Sequence, residues 1–269
     1  MNLLLQEVTF MLKAQRLSFN ISERNLLSDL TMEFEQGKVY ALVGHNGSGK
    51  STLLKLLANQ QSATDGLVTL DQKPLVKWSN KELARQIAYL PQHLPATDAL
   101  NGHDLVSFGR YPWHGLLGRL SDTDKDCIEN AMELTDTLIY RDRLVDTLSG
   151  GERQRVWLAM LLAQKTRYLL LDEPLSALDI AHQIEVLTLI RKLSQELNLG
   201  VIIVLHDINM AARFCDHIIA LHSGKLLKHG SVDELLEAET LEQIYGIPMA
   251  VMQHSVGYPV AMPCAKVCN

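Results

Sequence analysis

Residues 39–52 read VYALVGHNGSGKST, a short apolar run that leads through a glycine-rich segment to a lysine. The run VYALV has the composition of a buried β-strand, and the residues after the lysine have the apolar spacing of a helix. Gly44, Gly49, Lys50 and Ser51 match the pattern G-x-x-x-x-G-K-[ST] between that strand and that helix. Backbone N–H groups in such a loop, together with the helix N-terminus, attract phosphate. The stretch therefore predicts a nucleotide-binding P-loop at the edge of a β-sheet.

Most of the residues that we predict to bind the nucleotide lie in this loop. We expect Lys50 to reach the terminal phosphates and the Ser51 hydroxyl to bind Mg²⁺. The predicted nucleotide-binding residues in the loop are Gly44, His45, Asn46, Gly47, Ser48, Gly49, Lys50, Ser51 and Thr52. A glycine-rich turn that matches by chance is the alternative, and the flanking strand and helix argue against it.

Polar residues follow three further apolar runs, and parallel strands would bring them to the same sheet edge as the P-loop. Asp172 and Glu173 follow YLLL, and we predict that Asp172 holds Mg²⁺ through water while Glu173 orients the attacking water. His206 follows GVIIVL and is predicted to hydrogen-bond the γ-phosphate, with a structural histidine as the alternative. Gln92 follows YLP, and its amide either contacts the metal and the attacking water or belongs to a simple loop. The predicted catalytic residues are thus Glu173, His206 and Gln92, and the predicted metal ligands are Ser51, Gln92 and Asp172.

The overall composition excludes several classes of protein. The chain has 269 residues, 47% of them hydrophobic, a formal net charge of −6 and no block of basic residues, so we expect no nucleic-acid partner. No apolar run approaches the ~20 residues of a membrane-spanning helix. The start MNLLLQEVTFML is interpreted as a strand or short tail rather than a signal peptide. Four sparse cysteines fit a reducing compartment, with a metal or redox role for the C-terminal pair as the alternative.

The order of predicted elements indicates an α/β fold in one domain, residues 1–269. Short alternating strands in the first forty residues predict a small β-layer, and the later strand–helix alternation predicts a parallel sheet covered on both faces. A helical insert is expected at about 93–150, with YPWHGLLGR as a loop inside it. At about 231–269 we expect a single helix, SVDELLEAETLEQIYG, and then an irregular proline-containing tail.

A second glycine-rich segment, LSGGERQR at residues 148–155, stands far from the P-loop along the chain. SGGERQRVWLAMLLA is predicted to form a helix with Ser149 as its N-cap and two glycines in the first turn. Its N-terminus would form a second anion-binding helix end. A plain capped helix is the alternative.

With this segment placed, the chain resembles the ATP-binding cassette (ABC) family, whose ATPase subunits drive membrane transporters. The resemblance covers about residues 10–245. It rests on motifs that occur in the family's order, namely the P-loop at 44–52, Gln92, the signature at 148–154, LLLDEP at 169–174, SALD at 176–179 and His206. It implies a P-loop NTPase (RecA-like) fold with a mixed, largely parallel sheet, an N-terminal antiparallel β-layer and an inserted α-helical subdomain. It also implies ATP and Mg²⁺ as the ligands.

The resemblance explains the second glycine-rich segment through a second copy of the chain. In the family, two ATPase subunits pair head to tail, and each signature covers the γ-phosphate held by its partner's P-loop. A homodimer is therefore implied, in which Ser149, Gly150 and Gly151 contact ATP in trans and Asp179 joins the two sites. The family often has an aromatic residue stacked on adenine, whereas Ile21 occupies that place here and is expected to make an apolar contact.

Finer resemblances concern the cargo. The segments GRYPWHGLLGR, SALDIAHQIEVL, LHDINMAARFCD and ETLEQIYGIPM are similar to the ATPase subunit of bacterial iron(III)-hydroxamate siderophore importers. This implies a peripheral protein at the cytoplasmic face of the bacterial inner (plasma) membrane. Its implied partners are an integral membrane permease and, indirectly, a periplasmic or extracellular siderophore-binding protein. The alternatives are a related haem, cobalamin or catecholate-siderophore importer and, from another class, a soluble ABC ATPase not coupled to transport.

Overall fold

A computed structural model describes residues 11–22, 24–115, 118–176, 178–255 and 257–264. Residues 1–10 of the apolar start and Cys268 lie outside these ranges, whereas Met11 and Leu12 begin β1. The strands are β1 Met11–Ile21, β2 Arg24–Glu35, β3 Val39–Val43, β4 Asp65–Leu70, β5 Lys73–Pro74, β6 Ile87–Leu90, β7 Tyr168–Leu171, β8 Gly200–Val204, β9 His217–His222, β10 Lys225–Ser231, β11 Met249–Gln253 and β12 Pro259–Pro263. The helices are α1 Lys50–Leu57, α2 Asn80–Ala84, α3 Gly102–Ser107, α4 Tyr111–His114, α5 Asp122–Leu134, α6 Gly150–Ala163, α7 Ile180–Glu196, α8 Ile208–Phe214, α9 Val232–Leu235 and α10 Ala238–Tyr245.

The central sheet has six strands in the order β10-β9-β3-β8-β7-β6. All neighbouring pairs from β9 to β6 are parallel, and β10 pairs antiparallel with β9. Successive side chains of β3 point to opposite faces, so Val39 and Ala41 enter one apolar cluster while Tyr40 and Leu42 enter the other. The prediction of a sheet covered on both faces is therefore confirmed.

A second sheet, with the order β2-β1-β4-β5, lies over one side of this core. Its pairs are antiparallel. In β2 the alternation of the sequence NLLSDLTMEFE buries Leu27, Leu30, Met32 and Phe34, which pack with the central strands in one cluster. This sheet is the predicted N-terminal β-layer.

The helices between β6 and β7 pack on the opposite face, where α6 contacts α3 and α5. The prediction that YPWHGLLGR is a loop was wrong at its start, because Tyr111–His114 form α4. Pro112 suits the first turn of a helix, whose N–H groups have no partner within it. Arg85 Nε donates to the Pro112 carbonyl at 3.0 Å, and Trp113 Nε1 donates to the Gln164 carbonyl at 2.9 Å. These long-range bonds fix a turn that the local sequence leaves undecided.

The C-terminal region differs from its prediction in two ways. SVDELLEAETLEQIYG forms two helices, because the chain leaves helical geometry at Leu236 and Glu237 between α9 and α10. The tail expected to be irregular forms a β11–β12 hairpin. Asn209 of α8 holds it, since its Nδ2 donates to the Ala261 carbonyl at 3.1 Å and its Oδ1 accepts from the Ala261 N–H at 2.8 Å. Prolines are tolerated at the ends of β12 because each strand of a two-stranded sheet has an unpaired side.

Within the described ranges, none of the helices has both the length and the apolar character that a bilayer crossing requires.

Candidate active site

The P-loop surrounds a buried cation. Lys50 is 5% exposed, and its Nζ donates to the carbonyls of Gly44 at 2.9 Å and His45 at 3.1 Å. Burial lowers the pKa of Lys50, and the nearby charges of Glu173 and Asp172 act in the opposite direction. Carbonyl dipoles compensate a desolvated ammonium only partly, so an anionic ligand here would be strongly attracted.

Three further features of this loop fit a phosphate group. Ser48 Oγ is fully buried and has no hydrogen-bond partner among the described residues. Gly44 has φ 144°, and a Cβ there would lie 2.2 Å from the carbonyl oxygen of Leu221, so only glycine fits. Gly47 has φ 82°, yet a Cβ there would have no neighbour within 4 Å. The loop is therefore tightly packed at Gly44 and open at Gly47, which leaves space for a phosphate group beside its N–H groups.

A buried carboxylate lies directly beside the loop. Asp172 follows β7 and is 2% exposed, and its Oδ1 accepts from Ser51 Oγ at 2.8 Å. Burial raises the pKa of Asp172, while the Ser51 hydrogen bond lowers it. Tyr89 Oη lies 3.5 Å from the other carboxylate oxygen, a neighbour that the sequence analysis did not identify. Two adjacent hard oxygens fit Mg²⁺, which needs few protein ligands when phosphates and water complete its shell.

Two of the predicted strand-end residues converge on one oxygen atom of a third. Glu173 Oε2 accepts from Gln92 Nε2 at 2.8 Å, and His206 Nε2 lies 2.9 Å from the same oxygen. A hydrogen bond between these two atoms has Nε2 of His206 as the donor and the carboxylate oxygen as the acceptor. The Glu173 side chain is 13% exposed, and its backbone has φ 49°, a conformation that costs a non-glycine residue free energy. The two donors fix one oxygen of this carboxylate at the carboxyl ends of the strands.

The signature segment belongs to the helical insert. Ser149 caps α6 in a capping box, since Glu152 Oε2 accepts from the Ser149 N–H at 2.8 Å and Ser149 Oγ accepts from the Glu152 N–H at 3.4 Å. Ser149 and Gly150 are exposed, whereas Gly151 is buried. A cavity of about 210 Å³, lined by Gly150, Gln92 and Glu173 among others, separates this helix end from the strand ends.

Two more predicted residues lie at the ends of elements, Asp179 before α7 and Ile21 at the end of β1. Asp179 caps α7, and its Oδ1 accepts from the His182 N–H at 2.9 Å and from His182 Nδ1 at 2.8 Å. The sequence analysis did not identify His182. The signal in the sequence is that His182 lies three residues after Asp179, the distance at which a residue bonds to the cap of its own helix. Ile21 ends β1 and is 52% exposed, so an apolar contact with adenine stays a prediction.

Comparisons with known proteins identify relatives that match most of the chain. Residues 27–176 match the family model described as ABC transporter. The chain is 41% identical to the iron(3+)-hydroxamate import ATP-binding protein FhuC of Bacillus subtilis (strain 168), over 90% of both chains. It is 38% identical to the ferric enterobactin transport ATP-binding protein FepC of Escherichia coli (strain K12), over 95% of this chain and 94% of the other. Among solved structures, a chain of a metal-chelate type ABC transporter in an inward-facing conformation superimposes with a TM-score of 0.85 and 26% identity, over 97% of this chain and all of the other.

Proposed function

This chain belongs to the ABC transporter family, and from that premise we propose that it powers the import of an iron(III)–hydroxamate siderophore through a separate membrane permease. ATP binding and hydrolysis follow from membership of the family. Two of the relatives carry names that refer to different ferric chelates, one of them a hydroxamate. The similarity between these relatives and this chain extends along nine-tenths of the chain or more, which supports a shared role in transport. We further propose that residues 1–269 form one ABC ATPase domain, with its helical insert at about 93–150.

The observation that carries the catalytic part is the convergence of Gln92 and His206 on Glu173. We assign Glu173 the role of orienting and polarising the attacking water, because its carboxylate is the acceptor at the open ends of the strands. Gln92 and His206 hold that carboxylate in place, and the hydrogen bond from His206 to the γ-phosphate stays a prediction. Lys50 binds the terminal phosphates by charge, together with the N–H groups of the loop from Gly44 to Thr52.

Mg²⁺ is the metal that the neighbouring oxygens fit best. Ser51 and Asp172 would hold it, with Gln92 as a further ligand, and the ion would supply positive charge to the phosphate oxygens. The buried Asp172 gains most from such a cation, since burial otherwise raises its pKa.

The signature is assigned to the partner's nucleotide in a head-to-tail homodimer. Ser149 and Gly150 leave the N-terminus of α6 exposed, so its N–H groups are accessible to an anion on a second copy. In a two-fold dimer each copy contributes the same surface, so Ser149, Gly150, Gly151 and Asp179 would complete two equal sites. Hydrolysis would then remove the charge that attracts both copies and let the dimer open.

The permease is proposed to contact the surface between Gln92 and Trp113. Three aromatic side chains are exposed there, with relative exposures of 53% for Phe108, 48% for Tyr111 and 38% for Trp113. Clustered exposed aromatic residues are typical of protein interfaces. The subunit would lie at the cytoplasmic face of the membrane, while a siderophore-binding protein on the other side delivers the cargo.

The catalytic assignment is tested with Glu173→Gln. The amide keeps the size of the side chain but lacks the basic carboxylate, so ATP hydrolysis should fall by about 10²–10⁴-fold. ATP binding should persist, and ATP should trap a dimer that light scattering detects. Glu185→Gln, which neutralises an exposed acid on α7, is the control. Hydrolysis by Glu173→Gln at the rate of the control would refute the assignment.

The cargo is tested by reconstituting the subunit with its permease in liposomes. ATPase stimulation and uptake are compared for ferric hydroxamates, ferric catecholates, haem and cobalamin, each with its binding protein. Selective stimulation by a ferric hydroxamate is expected. Selective stimulation by one of the other compounds would support the role in import but refute the hydroxamate as the substrate. ATPase activity without any interaction with a permease would favour a soluble ATPase that is not coupled to transport.

A further inference from the structure

We propose that His182 is a positioning residue that fixes Asp179 relative to Gly151, and thereby sets the surface that one copy offers to its partner's ATP. The proposal rests on the proposed head-to-tail dimer. Asp179 and Gly151 lie on different segments, the turn before α7 and the first turn of α6. Both are assigned to the same trans surface, so their spacing must be held by something in the chain.

His182 contacts both of these residues. Its Nδ1 lies 2.8 Å from Asp179 Oδ1, and that same oxygen accepts from its backbone N–H at 2.9 Å. The hydrogen bonds of His182 lower the pKa of Asp179, which keeps the carboxylate ionised and an acceptor. Nδ1 is therefore the donor, as it is in both the imidazolium and one neutral tautomer.

The other edge of the same ring lies against Gly151. A Cβ at position 151 would be 2.4 Å from Cδ2 of His182 and 2.9 Å from its Cγ. The ring thus fills the space that any other residue at 151 would need. Because the ring can move, a larger residue at 151 would displace it, and that movement would break the Nδ1 bond to Asp179. Gly151 and Asp179 are coupled through one imidazole.

The exposure of this side-chain pair limits what its contact adds to folding beyond the helix cap. The side chains of His182 and Asp179 are 40% and 68% exposed, and exposed ion pairs contribute little to the free energy of unfolding. The placement of Asp179 and Gly151 is expected to affect the rate of catalysis more than the stability, since a misplacement of about 1 Å in a site can lower the rate by about 10²-fold. His182 is thus expected to act on the turnover of the dimer rather than on the stability of the monomer.

Two nearly isosteric substitutions separate the hydrogen bond from simple packing. In His182→Asn the side-chain amide has a donor at the same number of bonds from the backbone as Nδ1. In His182→Leu a methyl group takes that place. We expect the Leu variant to lose about 10²-fold in kcat with a small change in the KM for ATP, and the Asn variant to retain most of the activity. Lys125→Leu is the matched control, because Lys125 also bonds an acid three residues away at 2.8 Å on an exposed helix.

Mixed dimers then test whether His182 acts on the partner's site. All chains carry Glu173→Gln so that ATP is trapped rather than hydrolysed, and retained ATP is counted after rapid gel filtration. One copy also carries Lys50→Ala, and the other also carries His182→Leu. If His182 acts in trans, the intact P-loop faces an intact Asp179–Gly151 surface, and the mixed dimer should retain one ATP.

The outcomes are distinct. Retention of one ATP by the mixed dimer, against little by either doubly substituted homodimer, would support the proposal. No retention by the mixed dimer would place His182 in its own chain's site and overturn it, as would equal activity of the Asn and Leu variants. Failure of the dimer that carries only Glu173→Gln to trap ATP would instead refute the proposed dimeric function.

Discussion

Replacing Arg110 with Met tests how the helical insert is held together. Arg110 is 4% exposed, and its Nε donates to Asp124 Oδ1 at 2.8 Å. Its Nη1 donates to the Ala163 carbonyl at 2.7 Å, and its guanidinium lies 4.8 Å from the centre of the Trp113 ring. Met fills similar space but has no donor, so a buried carboxylate and a carbonyl at the end of α6 would both lose a partner.

The size of the effect follows from the burial of the pair. Burial by itself would raise the pKa of Asp124, but hydrogen bonds from Ser121 and Arg110 outweigh it and lower the pKa to about 2. The difference from the ordinary value of 3.8 corresponds to roughly 2.5 kcal/mol of stability at neutral pH. Removing one partner of a buried pair generally costs about 3–5 kcal/mol. We therefore expect the melting temperature to fall by roughly 10 °C.

The pH dependence gives an independent check. Because the folded pKa of Asp124 lies below its unfolded value, its contribution is complete above about pH 5 and is lost as the pH falls towards 2. The difference in stability between wild type and Arg110→Met, measured by urea unfolding, should narrow over that range. Lys125→Met, which removes an exposed pair, is the control and should leave the melting temperature unchanged. A loss below about 1 kcal/mol at pH 7 would refute the reasoning, since surface pairs reach that value.

Three further predictions concern the loop, the metal and the hairpin. Gly44→Ala should lower the melting temperature of the ATP-free protein far more than Gly47→Ala, because only the first Cβ meets backbone at 2.2 Å; equal shifts would contradict this. Ser51→Ala should abolish the gain in affinity for a fluorescent ATP analogue on adding Mg²⁺, because Asp172 loses its neighbouring oxygen; an unchanged gain would exclude Ser51 as a ligand. Asn209→Leu should speed amide hydrogen exchange at residues 249–263 while exchange in the central sheet stays slow; unchanged exchange there would show that packing alone holds the hairpin.

The sequence alone was sufficient to predict a feature wherever all the residues that form it are consecutive in the chain. The P-loop is such a case, because a buried strand, glycines that permit positive φ and a helix start are consecutive between residues 39 and 57. The cap of α6 is another, since Ser149 and Glu152 satisfy each other within one turn. The sheet-edge position of Asp172, Glu173 and His206 also followed, because parallel strands end at the same edge.

Which side chains of different segments contact one another was decided by the tertiary structure. The sequence could not show that Gln92 and His206 bond the same oxygen of Glu173, or that the His182 ring leaves no room at Gly151. The helical turn at Tyr111–His114 and the C-terminal hairpin likewise depend on partners distant along the chain. The physical reason is that hydrophobic periodicity and capping act over a few residues, whereas side-chain hydrogen bonds and close packing depend on distances that only the folded chain establishes.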